Sequence, residues 1–428
     1  MNKVQKTAYE LIQEDARFIY ALTHISQNAK NIDSNYICMS LPYIGLFADG
    51  AEQWGKKVKL DTPRFNNEEK KFYEQVRQAH KLFEKSYEEY ENLLLKKLSE
   101  SEDYFYSIRS LIEKILGYYN VGTDLCNNKF CGNTLLCSMY SPKKMLGNDG
   151  VWLRNISVVV GELAGFYGGA DLPVYRYNDD LVIGYEDYED LLLKKLSESE
   201  DYSYSKCSLI EKICGYYNVG TDLYNDIFCG NTILCSMYIP IKVLGIEGMG
   251  EWIRNISIVI GKLIGFYGGA DLPVYRYNDD LVIGYEDYHF YKNSPLNMNN
   301  DFGFVLFSIL CSINYVIEFI ENYFIDEIPQ KFKFAYLQYY YLCDFIEQVN
   351  VAKNTNFYID NSLSHREFRN CLAHYGLGRY IIESEIISDD VLKGLTNKAF
   401  GKDYLTVKEE LYKILKDLAN QIGEMILK

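Results

Sequence analysis

The sequence predicts a mainly α-helical protein, and three observations carry that reading. Apolar residues recur at three- and four-residue spacing over long stretches of both ends of the chain. Only 8 prolines occur in 428 residues, so few helices are interrupted. The clearest β-prone runs sit in one motif, PVYRYNDDLVIGYED, which closes each half of a tandem duplication. The chain divides on this basis into a helical N-terminal region at 1–90, a first repeat at 91–188, a second at 189–288, and a helical bundle at 299–428.

The first ninety residues are expected to be helical, with interruptions at Glu52–Val58 and around Pro63. The run KKFYEQVRQAHKLFEKSYEEYENLLLKKL then predicts one long helix leading into the first repeat. His80 sits on it between charged residues and reads as solvated.

The duplication is read before any other fold statement. ENLLLKKLSESEDY begins at Glu91 and EDLLLKKLSESEDY at Glu189, and about four-fifths of the aligned positions are identical. Each copy opens on a helical segment, Leu93 to Tyr118 or Leu191 to Tyr216. A Gly- and Asn-containing stretch follows, then a second helix around Trp152–Phe166 or Trp252–Phe266. Two β-prone runs about Asn-Asp-Asp then predict a hairpin. Each copy is therefore α-rich with one hairpin, at about 100 residues long enough for a small domain. Gly168-Gly169 has neither the spacing nor the following Lys of a phosphate cradle and reads as a turn. Cys131 with Cys137, and Cys229 with Cys235, lack zinc-ligand spacing and read as buried thiols. Arg154-Asn155 and Arg254-Asn255 have a valine, Val159 or Val259, five residues beyond each Arg, where a proton-transfer residue would have to stand. The repeats thus present tyrosines and carboxylates, and read as binding modules for a protein partner.

Charge narrows the partners. The chain carries a net charge of −15, with 18 basic against 28 acidic side chains in residues 91–300. No segment offers the basic stripe by which a protein holds nucleic acid through counterion release, so DNA is not an expected partner and any RNA must be gripped locally. The 11 cysteines contain no CxxC pair and no secretory leader precedes them, which points to a reduced, cytoplasmic protein. Phe302 to Ile320 is long and apolar enough to span a bilayer. Asn314 and Glu318 interrupt it and no basic flank follows, so a buried helix and no membrane partner are expected.

Chemistry concentrates in Arg369-Asn370-Cys371-Leu372-Ala373-His374, placed by its surroundings on a short helix. Asn370 and His374 lie four residues apart and share a helical face, which Arg369 flanks. The guanidinium is a planar fork of donors suited to phosphate, and histidine is the side chain most easily tuned to move a proton near neutrality. Ser362 or Ser364 is expected to cap this helix and Gly376 or Gly378 to end it. His374 would then stand in the last turn, where the helix dipole favours the imidazolium. Phe302–Phe324 and Lys333–Val349 predict the helices before the motif, with a loop at Ala352–Tyr358, and Leu405–Leu427 predicts one after it.

The motif in its context, SLSHREFRNCLAHYGLGRY, resembles the R-N-x-x-x-H signature of the HEPN superfamily, over the segment from about Asn299 to Lys428. That resemblance implies a helical bundle and a metal-independent endoribonuclease of a toxin or abortive-infection type, without a cofactor. The RNA 2′-hydroxyl would attack the neighbouring phosphate and leave a 2′,3′-cyclic phosphate. His374 would serve as general base or acid, Arg369 would stabilise the phosphorane, and Asn370 would hold the imidazole or the phosphate. Tyr375, Arg379, Arg366 and His365 would be substrate contacts or supports, and Asp344 or Glu347 an acidic helper. The resemblance also implies a homodimer through the C-terminal segment, and a fragment from about Asn299 that acts alone. The alternative it leaves open is a non-catalytic dimerisation or ligand-binding scaffold whose repeats bind a protein.

Overall fold

A computed structural model describes residues 1–23, 35–94, 122–126, 129–133, 183–187, 218–238, 246–269, 272, 275–278, 280–281, 283–289, 295–298, 300–386 and 391–427. The chain forms two compact units. One joins Met1–Ser101 to Tyr217–Lys428, and the other is Glu102–Tyr216. The N-terminal region, most of repeat two and the C-terminal segment therefore share one body. Mainly helical structure is what the described residues show.

In the larger unit, α1 (Lys3–Thr23) buries Leu11, Ile12, Phe18 and Ile19 along one stripe. Helix α2 (Asn35–Val58) runs on through the stretch expected to interrupt it, and contains Pro42. Burial of Phe47, Ala51 and Trp54 outweighs the weak local helix signal there. Helix α3 (Asn67–Gln78) starts on a capping box, with Asn66 accepting from the Glu69 amide at 2.9 Å and Glu69 accepting from the Asn66 amide at 3.0 Å.

The long helix expected after Lys70 does not continue. A 3₁₀ turn at Ala79–Leu82 breaks it, and helix resumes only at 87–94. The cause is close packing against α2 at Gly45, where a Cβ would stand 2.7 Å from the Val76 carbonyl oxygen and 2.9 Å from the His80 nitrogen. His80 is buried there rather than solvated, its Nδ1 2.5 Å from the Arg77 carbonyl oxygen.

The larger unit holds an antiparallel sheet in the order β5-β4-β6: β4 (Asn218–Tyr224), β5 (Ile227–Asn231) and β6 (Ile283–His289). The hairpin turns at Asn225 and Asp226, both in the left-handed region with φ of 46° and 64°, a conformation Asn and Asp tolerate better than most residues. In the second copy the expected hairpin within PVYRYNDDLVIGYED is thus replaced, while the first run of the first copy lies outside the described residues. Its second run, Ile283–His289, pairs with β4, and Tyr277 of its first run forms a bridge to Phe324. Between β5 and β6 lie α4 (Thr232–Tyr238) and α5 (Ile246–Tyr267), the latter matching the expected second helix of the copy.

The smaller unit carries a sheet of the same plan, β2-β1-β3, from β1 (Gly122–Cys126), β2 (Lys129–Asn133) and β3 (Ile183–Asp187). Thr123 faces Asn133 and Glu186 as Thr221 faces Asn231 and Glu286, and a bulge follows Asp124 as one follows Asp222. The first helices expected of both copies beyond Leu94, the Trp152–Phe166 helix and Gly168-Gly169 lie outside the described residues.

The C-terminal segment is helical: α6 (Asp301–Asn314), extended through a π-helical stretch at Tyr315–Ile320 to Tyr323; α7 (Pro329–Lys353); α8 (Arg366–His374); α9 (Val391–Phe400); and α10 (Tyr404–Ile426). Phe302–Tyr323 has the length and hydropathy of a membrane span, and 89% of that window is buried inside the fold. Helix α7 runs past the expected loop start at Ala352 and stops at Asn354, which takes the left-handed conformation at φ 52°.

Candidate active site

Helix α8 is short, and both its ends are built by specific side chains. His365, not Ser362 or Ser364, is its N-cap: its Nδ1 accepts from the Phe368 amide at 3.2 Å. The His365 amide in turn donates to the Tyr336 hydroxyl at 3.0 Å, and the ring packs edge-on against Tyr380 and Phe400. It stands at the opposite end of α8 from His374, about 13 Å along the axis by helix rise. The structure thus gives His365 a capping role and does not bring it to His374.

The other end closes on Tyr375, whose backbone is left-handed at φ 51° and whose amide donates to the Asn370 carbonyl. A tyrosine is a costly residue in this conformation. Its ring is 1% exposed, and its hydroxyl donates to Asp15 Oδ2 at 2.6 Å. Asp15 also pairs with Lys333 and accepts from the Tyr43 hydroxyl at 3.2 Å. Burial first and then Asp15 push the Tyr375 hydroxyl well above the ordinary tyrosine range. Tyr375 is therefore an anchor, fixing the end of α8 to α1, α2 and α7 immediately after His374.

Helix α2 supplies the other wall. Gly50 lies against α8, where a Cβ would overlap the Ala373 carbonyl oxygen and stand 3.0 Å from the Tyr375 ring. On the same face, Asp49, Gln53 and Lys57 follow at intervals of four. Gln53 donates to Asp49 Oδ2 at 2.5 Å, and Arg77 pairs with Asp49 Oδ1 at 3.1 Å. A fragment beginning at Asn299 would lack this wall and would lay bare the face on which α8 rests.

At the centre, Arg369 Nη1 lies 3.2 Å from His374 Nε2. A guanidinium can only donate, so Nε2 is the acceptor and the neutral ring carries its proton on Nδ1. Among the described residues, Nδ1 of His374 and Nε of Arg369 are buried without a hydrogen-bond partner. The guanidinium lies over two rings, 5.1 Å from the Tyr340 centroid and 5.5 Å from that of Tyr341. Burial and the Arg369 charge hold the His374 imidazole below the usual histidine range, while the Asp49 and Glu84 carboxylates oppose them. The expected elevation by the helix dipole is overturned, because desolvation and an adjacent cation outweigh a half-charge at a helix end.

The acidic neighbours of His374 are Asp49 and Glu84. Asp344 and Glu347 are on α7, with Asp344 accepting from Gln348 at 2.6 Å. Asp49 had a signal in the sequence, the 49-53-57 polar spacing on an otherwise buried helix. Glu84 had none, since the turn that presents it was read as continuous helix.

Asn370 and His374 open onto a cleft of about 390 Å³ lined by Gln53, Lys57, Arg366 and Arg379. None of these three cations has an ion pair among the described residues. Glu367 is the one carboxylate on its lining, so the cleft is positive in a chain that is strongly acidic. Among the described residues no group of three or more His, Cys, Asp or Glu side chains is placed to hold a metal ion. No known protein family, curated protein or solved structure matches this chain.

Proposed function

We propose that the protein is an endoribonuclease of the HEPN type, acting on RNA in the cytoplasm in a defence or toxin-like role. The observation that supports the proposal is the Arg369–His374 pair at 3.2 Å beside three cations that have no ion pair among the described residues, in one cleft. In this reaction His374 Nε2 takes the proton of the RNA 2′-hydroxyl as the 2′-oxygen bonds to phosphorus. The bond to the 5′-oxygen breaks, and the departing oxygen takes a proton from the imidazolium or solvent, leaving a 2′,3′-cyclic phosphate. A lowered histidine pKa suits the base, because the ring is neutral at pH 7 with its lone pair on the atom that faces Arg369. The guanidinium leaves Nε2 for the phosphorane oxygens as substrate enters, and Asn370 donates to phosphate from the same face.

A homodimer through the C-terminal segment, and a protein partner for the acidic repeats, complete the proposal. A second reading has one observation in its favour: Arg369 is held over Tyr340 and Tyr341 and occupies Nε2, as in a site that binds a ligand without turning it over. Induced expression of the full chain beside His374→Ala and Arg369→Ala decides between them. RNA cleavage and growth arrest, both lost in the folded variants, are expected. Intact RNA with every form would leave the binding scaffold.

A further inference from the structure

In the larger unit the second repeat copy is seated on elements from both ends of the chain. Helix α5 packs against α1 and α3, and β5 packs against α6. The Trp252 indole donates to Gln75 Oε1 at 2.8 Å, and the Phe228 ring meets Phe307 edge-on at 5.3 Å. Tyr267 meets Phe47 in the same way at 5.7 Å, and Arg276 pairs with Asp326 at 2.6 Å. Each of these four seated residues has an identical counterpart in the first copy: Phe130, Trp152, Tyr167 and Arg176. Chain connection does not choose between the copies either. Whichever copy is seated, roughly a hundred residues are left out as an insertion, so closing the loop costs nearly the same.

Four of the buried or ion-paired residues of the seated copy do differ. Ile260 and Ile264 are buried on α5, where the first copy has Val160 and Ala164. Tyr224 is buried with its ring edge-on to Phe319 at 6.2 Å, and its counterpart is Cys126. Lys262 pairs with Glu69 at 2.6 Å, where Glu162 of the first copy would set carboxylate against carboxylate. An alanine in place of a buried isoleucine is disfavoured by at least about thirtyfold, because a cavity adds to the lost burial. The missing tyrosine ring acts in the same direction. The ion pair, with Lys262 44% exposed, contributes least. We propose that the larger unit discriminates between its two near-identical copies, seating the second through Tyr224, Ile260, Lys262 and Ile264 and leaving the first to the separate unit. This selection is independent of what His374 does. Without it, two copies so alike would compete for one seat as the chain folds.

The test uses the full-length protein, refolded from urea and treated with a carbodiimide, which couples Lys262 to Glu69 without a spacer. Tryptic peptides of the two copies differ in mass, so mass spectrometry reports which copy is seated. Glu162→Lys alone gives the first copy the reactive amine. Coupling of Glu69 to position 262 is then expected to exceed coupling to position 162 by at least about thirtyfold. Adding Cys126→Tyr, Val160→Ile and Ala164→Ile makes the copies equivalent at all four positions. The two products are then expected within about threefold of each other. The native second copy is intact in both variants, so the larger unit can fold in each. Comparable products from Glu162→Lys alone would overturn the proposal, because the copies would be interchangeable without the packing residues. A quadruple variant that still couples only at position 262 would overturn it too, because other residues would then be making the choice.

Discussion

Asp15 offers the sharpest energetic test of how the motif helix is held. Its carboxylate is 0% exposed and Lys333 is 2% exposed, so both charges lie outside water. Asp15→Ala would leave the ammonium without a carboxylate, facing only the Tyr375 ring at 4.7 Å and the Tyr43 ring at 5.8 Å. Removing one partner of a buried pair costs about 3–5 kcal/mol, because the surviving charge is uncompensated. The ring contacts already exist in the wild type and supply no new stabilisation. Burial already lowers the Lys333 pKa and Asp15 opposes that, so loss of Asp15 drives the amine toward its neutral form and limits the cost to the lower part of that range. Two tyrosine hydroxyls also lose their acceptor, at about 1 kcal/mol or more each when buried. The expected total is about 5 kcal/mol, which for a unit of this size corresponds to roughly 10 °C in Tm. Urea unfolding followed by circular dichroism measures it. The double variant Asp15→Leu with Lys333→Met should recover much of the loss, since a buried pair exchanged for apolar side chains is often neutral. A loss under about 1 kcal/mol in Asp15→Ala, or a double variant as unstable as the two singles added, would refute the anchor.

Three further outcomes follow from the same geometry. Gly50→Ala forces a Cβ into the Ala373 carbonyl and should cost about 1–3 kcal/mol by overpacking, with loss of RNA binding exceeding that of Gly55→Ala, where the nearest atom is 3.6 Å away; equal effects would remove the close approach of α2 and α8. The His374 imidazole, resolved by NMR among only five histidines, should titrate below about 6.5 and move upward in Arg369→Gln. With the folded pKa depressed, the unfolded chain binds the proton first, so this histidine's contribution to stability is full above about pH 6.5 and declines as pH falls toward the folded pKa; an unshifted Arg369→Gln titration would contradict the assignment. Deleting residues 102–199 joins Ser101 to Glu200 within the same local sequence and leaves every segment of the larger unit present, so cooperative unfolding at a similar Tm is expected, and an unfolded product would show that the smaller unit is needed for the larger.

Much of the helical architecture was legible because it rests on local patterns. The predicted spans Phe302–Phe324, Lys333–Val349 and Leu405–Leu427 rest on apolar periods that act within a turn or two of their own position, while the Pro329 start of α7, four residues before the predicted one, was missed. What escaped the sequence was non-local. The 3₁₀ turn at Ala79–Leu82 depends on Gly45 of another helix, and nothing near His80 announces its burial. The strand partner of Ile283–His289 lies some sixty residues earlier, and the Asn-Asp-Asp cluster between the two β-prone runs imitated a turn signal. At the site, Asn370 and His374 were placed on one helical face by their spacing with Arg369 flanking it, but the Arg369–His374 contact at 3.2 Å was not foreseen. Nor was the pKa direction of His374, because burial by α2 and contact with the guanidinium are products of the assembled fold.

The acidic composition of this chain bears less on the cleft than the net charge suggests. At physiological ionic strength charges are screened over about 8 Å, so carboxylates in distant parts of the surface contribute little at the phosphate position. Within the cleft, Lys57, Arg366 and Arg379 face one carboxylate, Glu367, and a histidine held neutral. Neutrality of His374 matters twice. In the proposed reaction it keeps the lone pair available for a proton, and it keeps the cleft's positive charge on the side chains proposed to bind rather than on the proposed base. On the proposed reading the two tasks fall to different places, with α2, the first turn of α8 and the segment after α8 supplying the grip and the last turn of α8 the proton transfer. A selection for tight, salt-resistant binding would add basic residues across the surface. Here three of them, Lys57, Arg366 and Arg379, stand on the walls around one histidine, which on the proposed reading favours recognition of a short stretch of strand over coating of a long one.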